Sequence, residues 1–116
     1  LSYGHQEGDQ VLMRISDLIH QAVLKPNSDA SCGRWGGEEF CFFIPGKNVD
    51  EAGVLMNDLC FAVQRMPLHF EDVDFSITIT IGVEECDFLS PMEDLLRKAD
   101  EKLYMGKEAG RNRVVV

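Results

Sequence analysis

The sequence predicts an α+β domain, with one sheet and helices packed on it. Three observations carry this. Apolar residues recur at helical spacing in three separate stretches, near residues 11–23, 52–66 and 92–103. A dense apolar run, Phe40-Cys41-Phe42-Phe43-Ile44, follows a Gly-Gly pair, as in a strand that leaves a hairpin turn. Apolar residues then occupy every odd position of Phe75-Ser76-Ile77-Thr78-Ile79-Thr80-Ile81-Gly82-Val83, the period of a strand with one buried face.

In chain order, Leu1 to Gly8 comes first and builds neither strand nor helix on its own pattern. A helix follows, with Val11, Leu12, Ile15, Leu18, Ile19, Ala22 and Val23 on one face and Asp9 placed to cap it. Lys25-Pro26-Asn27-Ser28-Asp29 ends it. A short strand, Ser31 to Trp35, leads into the Gly36-Gly37 turn, and a second runs from Glu39 to Ile44. Because that second strand is apolar at almost every position, it is expected to be central and covered on both faces. Pro45-Gly46-Lys47-Asn48 stops it. Asp50 is a candidate cap for a helix whose face is Ala52, Leu55, Met56, Leu59, Val63 and Met66. Pro67 closes that helix, and an acidic loop leads to the alternating strand. Ser90, with Pro91 behind it and Glu93 three residues on, forms a capping-box pattern for a third helix. Met92, Leu95, Leu96, Ala99 and Leu103 make its face, Gly110 breaks it, and Val114 to Val116 close the chain as a strand. The order is α-ββ-α-β-α-β, without repeats or linkers.

Bulk properties narrow the function. A chain of 116 residues is one domain at most. With 11 basic against 20 acidic residues, net charge −9, it has no cationic surplus to displace counterions, so nucleic acid is excluded as a partner. A single nucleotide held through a metal remains compatible. No C-x-x-C pair occurs among Cys32, Cys41, Cys60 and Cys86, and reduced thiols of a cytoplasmic domain fit better than zinc or disulfides. No signal peptide or membrane span is visible in this stretch, so no membrane contact by this domain is expected. A longer parent could still be anchored elsewhere.

Chemistry concentrates at Arg34-Trp35-Gly36-Gly37-Glu38-Glu39-Phe40. The glycines permit a tight turn and close approach of phosphates to the backbone, and the glutamates are hard oxygen donors of the kind Mg²⁺ takes. A plain hairpin with solvated charges has the same residues.

Four stretches together settle between these readings: Gly4-His5-x-x-Gly8-Asp9, the heptad just quoted, Ile79-Thr80-Ile81-Gly82-Val83, and Ala99-Asp100-x-x-Leu103-Tyr104-x-x-Lys107-x-x-Gly110-Arg111-Asn112. In this order and spacing the chain resembles the GGDEF domain of diguanylate cyclases, bacterial signalling transferases that make the second messenger cyclic di-GMP from two GTP. The resemblance implies a central, mostly antiparallel sheet with flanking helices, related to the adenylyl cyclase catalytic domain and built on a ferredoxin-like core. It implies Glu38 and Glu39 as catalytic residues and as ligands of Mg²⁺ or Mn²⁺. Asp9 is implied to read guanine, since a carboxylate accepts from both N1–H and the N2 amino group; its capping role is the alternative. Gly36 and Gly37 are implied to admit phosphates, and Lys107 and Arg111 to contact the triphosphate, or else to complement the helix dipole. His5, Arg34, Asp100 and Asn112 read as structural. Catalysis in this family needs a homodimer with one GTP on each subunit, and a sensory or regulatory domain is expected upstream.

The resemblance also has gaps. The family's first strand, with its metal-binding aspartate, and its Phe-Lys-x-x-Asn-Asp segment are not in the chain. Residues 1–116 are therefore expected to be the C-terminal part of a GGDEF domain lacking the first strand and first helix, and to be inactive alone. An Arg-x-x-Asp product site is missing too: Asn27-Ser28-Asp29-Ala30 stands there. Gly106 replaces the family's usual alanine. The alternative function is a non-catalytic GGDEF domain that binds GTP or a protein partner and regulates a neighbour.

Overall fold

The computed structural model describes residues 5–36, 39–87 and 89–116, the side chains of 5–7, 34–36 and 39 excepted. The elements in order are α1 (His5–Ile19), a π-helical extension (His20–Leu24), β1 (Ser31–Gly36), β2 (Glu39–Phe43), α2 (Val49–Arg65), β3 (Leu68–Phe70), β4 (Val73–Phe75), β5 (Thr80–Gly82), α3 (Met92–Glu108) and β6 (Arg113–Val115). The class is α+β, with three α-helices and small sheets among the described residues. The chain forms two compact units, residues 1–46 with 67–76, and residues 47–66 with 77–116.

In the first unit, α1 and its extension bury Val11, Ile15, Ile19 and Val23, one residue per turn along a single stripe. The last turn widens, with Lys25 N–H donating to the His20 carbonyl at 2.8 Å, and Asn27 Nδ2 donates to the Val23 carbonyl at 2.8 Å. The helix is already formed at His5, so Asp9 lies within it rather than capping it. β1 and β2 pair antiparallel, Ser31 opposite Phe43 and Gly36 opposite Glu39, with the register shifted between Arg34 and Gly36. A bulge of this kind bends and twists the strand. β2 is not central among the described residues: it pairs with β1 alone, its apolar side chains are half-buried, and Phe43 is 45% exposed.

Where an acidic loop was expected there is a second hairpin. β3 and β4 pair with Leu68 opposite Phe75, His69 opposite Asp74 and Phe70 opposite Val73. Glu71 and Asp72 both take positive φ (49° and 65°), the requirement of a type I′ turn. That turn favours Asn and Gly, so Glu-Asp hid it. The alternating run from Phe75 to Val83 is divided as well. Phe75 ends β4, Thr80 begins β5, and residues 76–79 keep the inward-outward alternation without a strand pairing among the described residues.

In the second unit, β5 and β6 pair in parallel, Thr80 opposite Arg113 and Gly82 opposite Val115, which requires a crossover; α3 supplies it. α3 packs on β5 and β6, and α2 packs on β6. α2 buries Met56, Leu59, Cys60 and Val63, close to the predicted face. Its cap is Asn48 rather than Asp50: the Asn48 side chain accepts from Glu51 N–H at 2.8 Å, and Glu51 accepts from Asn48 N–H at 3.2 Å. These two bonds form a capping box on α2; on α3 the predicted one is absent, and the residue before the helix, Pro91, offers no side-chain cap. Asp87 instead accepts from the backbone N–H groups of Leu89 (3.0 Å) and Ser90 (2.6 Å) and from the Ser90 hydroxyl (3.0 Å). Among the described residues no helix is long and apolar enough to cross a membrane.

Candidate functional site

The candidate residues fall on two arms. The first unit carries the signature hairpin. Gly36 is the last residue of β1 and Glu39 the first of β2, and they face each other in the ladder. Gly37 and Glu38 join them and lie outside the described residues, as does the side chain of Glu39. The sequence therefore puts one carboxylate on the short connection between paired strands and the next on the first residue of β2. Asp9 is in the same unit, exposed on the early part of α1. Next to the signature in sequence, Cys32 and Cys41 are half-buried and form no disulfide. Burial, reinforced by the neighbouring Cys41, pushes the Cys32 thiol above its ordinary value, so it stays protonated and is a poor nucleophile. Among the described residues no group of three or more His, Cys, Asp or Glu side chains is placed to hold a metal ion.

The second unit carries the cations. Lys107 is in the last turn of α3, where a positive charge complements the helix dipole. Arg111 follows the helix with a φ of 62° and is exposed. Its N–H donates to the Gly106 carbonyl at 2.9 Å, so the chain turns back on the helix end. Asn112 also has a positive φ, 48°, and its N–H donates to the Thr80 hydroxyl at 3.1 Å. A structural role for Asn112 fits this.

Two glycines explain how α3 comes so close to the strands. A Cβ added at Gly82 would land on the Ala99 carbonyl oxygen and lie 2.6 Å from Leu103 N, within the helix backbone. A Cβ at Gly106 would lie 2.7 Å from the Thr80 methyl and 3.2 Å from a Val115 methyl. Glycine at 106, where alanine was expected, thus has a steric cause in this chain. One ion pair fastens the other end of the contact. Lys102 Nζ is 2.6 Å from Glu84 Oε2 and donates to the Val83 carbonyl at 3.0 Å, both side chains mostly covered. Sequence reasoning gave no role to Thr80, Glu84 or Lys102. An isolated glycine inside a strand pattern does signal a close backbone approach, so Gly82 was readable.

A family model described as "Diguanylate cyclase, GGDEF domain" matches residues 2–113. The chain belongs to this family. Diguanylate cyclase DgcP of Pseudomonas aeruginosa is 32% identical over 114 residues, 98% of this chain and 16% of its own length. The GGDEF domain of DgcB from Caulobacter crescentus, solved in complex with c-di-GMP, superposes with a TM-score of 0.88 at 28% identity. That match covers 98% of this chain and 67% of the other. The active GGEEF domain of a diguanylate cyclase from Vibrio cholerae gives 0.85 at 30% identity, covering 97% and 70%. This GGDEF domain has the same five letters, Gly36-Gly37-Glu38-Glu39-Phe40. It spans between 16% and 35% of the length of the curated relatives it matches.

Proposed function

We propose that this GGDEF domain works as a diguanylate cyclase, joining two GTP into cyclic di-GMP with release of pyrophosphate. What carries the reading is the family match over residues 2–113 together with an unaltered Gly36-Gly37-Glu38-Glu39-Phe40 signature. In each bond-forming step a ribose 3′-hydroxyl attacks the α-phosphate of the other GTP, the bond to the β-phosphate breaks, and the hydroxyl proton leaves. Asp9 accepts from guanine N1–H and the N2 amino group, a donor pair that adenine lacks. Gly36 and Gly37 let the phosphates approach the main chain. Lys107 and Arg111 neutralise the triphosphate from the end of α3.

Glu38 and Glu39 are adjacent hard-oxygen donors on a strand connection, a donor set that suits Mg²⁺ or Mn²⁺, and they are the residues that would hold it. A divalent cation there supplies charge neutralisation on the phosphates and a lower pKa for the attacking hydroxyl. Because one GTP contributes each half of the product, the active species is a homodimer with the two sites facing. The setting is the cytoplasm, where GTP is present.

The test is incubation of the complete protein with GTP and Mg²⁺, with products separated by chromatography and weighed by mass spectrometry. Cyclic di-GMP and pyrophosphate are expected from the wild type, and a fall of at least about a hundredfold in turnover for Glu38→Gln or Glu39→Gln, as for loss of a group acting in the transition state. GTP bound without any product would overturn the catalytic reading and leave a non-catalytic GTP-binding regulator.

A further inference from the structure

Three successive residues leave α3 with positive φ: Gly110 (119°), Arg111 (62°) and Asn112 (48°). Glycine does this freely, whereas arginine persists there only where its surroundings hold it. Those surroundings are explicit. Arg111 N–H donates to the Gly106 carbonyl at 2.9 Å, and Arg113 Nε donates to the Arg111 carbonyl at 2.9 Å. Both bonds are local to the turn. The third restraint is not: Asn112 N–H donates to the hydroxyl of Thr80, 32 residues away in sequence on β5.

Thr80 is suited to this by its two branches. Its methyl faces Gly106 so closely that a Cβ on that glycine would be 2.7 Å away. A β-branched side chain is stiff about χ1, so seating the methyl on Gly106 also fixes where the hydroxyl points. We propose that Thr80 is a positioning residue for nucleotide binding. Through Asn112 it holds Arg111 in the left-handed conformation that presents the guanidinium to the triphosphate. This rests on the proposed role of Arg111 as a phosphate contact; Thr80 itself touches no substrate.

Three variants isolate the hydroxyl. Thr80→Val keeps the branched shape and removes the acceptor. Thr80→Ser keeps the acceptor and removes the methyl, and Thr80→Ala removes both, which serves if the valine variant does not fold. Calorimetry on the complete protein with Mg-GTP is expected to give affinity about fivefold weaker for Thr80→Val and Thr80→Ala, the equivalent of one hydrogen bond, and within about twofold of wild type for Thr80→Ser. Amide exchange at Asn112 should accelerate in the same two variants and not in Thr80→Ser. Rescue by serine separates positioning from packing, because serine lacks the methyl. If Arg111→Ala weakens GTP binding while Thr80→Val and Thr80→Ala bind like wild type, the inference is overturned and the reading of Arg111 stands. If Arg111→Ala binds GTP like wild type, the reading of Arg111 falls and this inference falls with it.

Discussion

The β1–β2 hairpin carries its signature on a ladder that is local in sequence, whereas the cations stand in the last turn of α3 and just after it, in a unit fixed by partners far along the chain. In the hairpin, residues 31–43 are joined strand to strand through one short connection, and their described side chains are at best half-buried. In the β5–α3–β6 unit, backbone meets backbone at Gly82, and Thr80 reaches across 32 residues to the turn after the helix. The hairpin is thus held by its own ladder, whereas the placement of Arg111 depends on a contact to a distant strand. A chemical change at the hairpin tip should be read in activity, and one behind the cations in stability first.

The largest effect should separate the two regions directly. Gly82→Ala forces a methyl into the backbone of α3, which cannot give way as a side chain could, so destabilisation of about 3 kcal/mol or outright failure to fold is expected. Gly33→Ala on β1 meets nothing within 4 Å and needs no unusual φ, so it should stay within about 0.5 kcal/mol of wild type. Urea titrations of both variants decide it. Equal midpoints would mean that the two regions are held alike.

The second effect concerns the fastening between the loop after β5 and α3. Lys102→Met removes the partner of Glu84 and the donor to the Val83 carbonyl, leaving a carboxylate only 20% exposed. The cost should lie between that of a surface pair and a buried one, about 1–2 kcal/mol. Glu84→Gln with Lys102→Met together should recover part of it, because no uncompensated charge then remains. A double-mutant cycle without coupling would place both side chains in solvent.

A third, smaller effect tests why glycine stands at 106. Alanine there gains about 1 kcal/mol of helix propensity but collides with the Thr80 methyl, so Gly106→Ala should be destabilising by about 1 kcal/mol net. In a Thr80→Ser background the colliding methyl is gone, and the same substitution should become neutral or stabilising. The sign change, measured by thermal denaturation, is the prediction; the same cost in both backgrounds would remove Thr80 from the explanation.

Such contacts mark the limit of what the sequence could tell. The three helices and the apolar stripe of α1 were legible because 3.6-residue periodicity is a local property, and so was the α+β class. The family was legible because four stretches stand in its order and spacing; the glycine pair beside two carboxylates fits a plain hairpin as well. The β3–β4 hairpin was not, since its I′ turn is made by Glu71 and Asp72 rather than by Asn and Gly. The cap of α2 was misassigned because Asn48 competes with Asp50 as a neighbouring residue of equal capping ability, and only geometry chooses between them; the Ser90 hydroxyl, read as a cap for α3, donates instead to Asp87 in the turn before the helix. Thr80 was invisible as a positioning residue, because at a strand position its hydroxyl reads as solvent-facing until the turn after α3 is folded against it. Motif residues can be read one by one, but the contact from Asn112 to Thr80 behind Arg111 cannot.

The smallest effect lies at the start of α3, and it is a matter of pH. Asp87 is held below the ordinary aspartate range, first by the Ser90 hydroxyl and then by the Ser90 N–H, with Leu89 N–H and Lys98 adding less. A carboxyl whose pKa is lowered by folding contributes stability that is fully present above its unfolded value. That contribution fades as pH falls through the folded value. The window is therefore acidic, below about pH 4. Because Asp87 is open to solvent, the contribution is modest and screened by salt. Ser90→Ala removes the largest cause and leaves the backbone donors, so the Asp87 pKa should rise toward its ordinary value and the stability lost on acidification should shrink. Titration of the Asp87 carboxyl by NMR in both proteins reads this at the residue itself. A pKa for Asp87 that does not move on loss of the Ser90 hydroxyl would mean that the backbone N–H groups of Leu89 and Ser90 alone hold the carboxylate ionised.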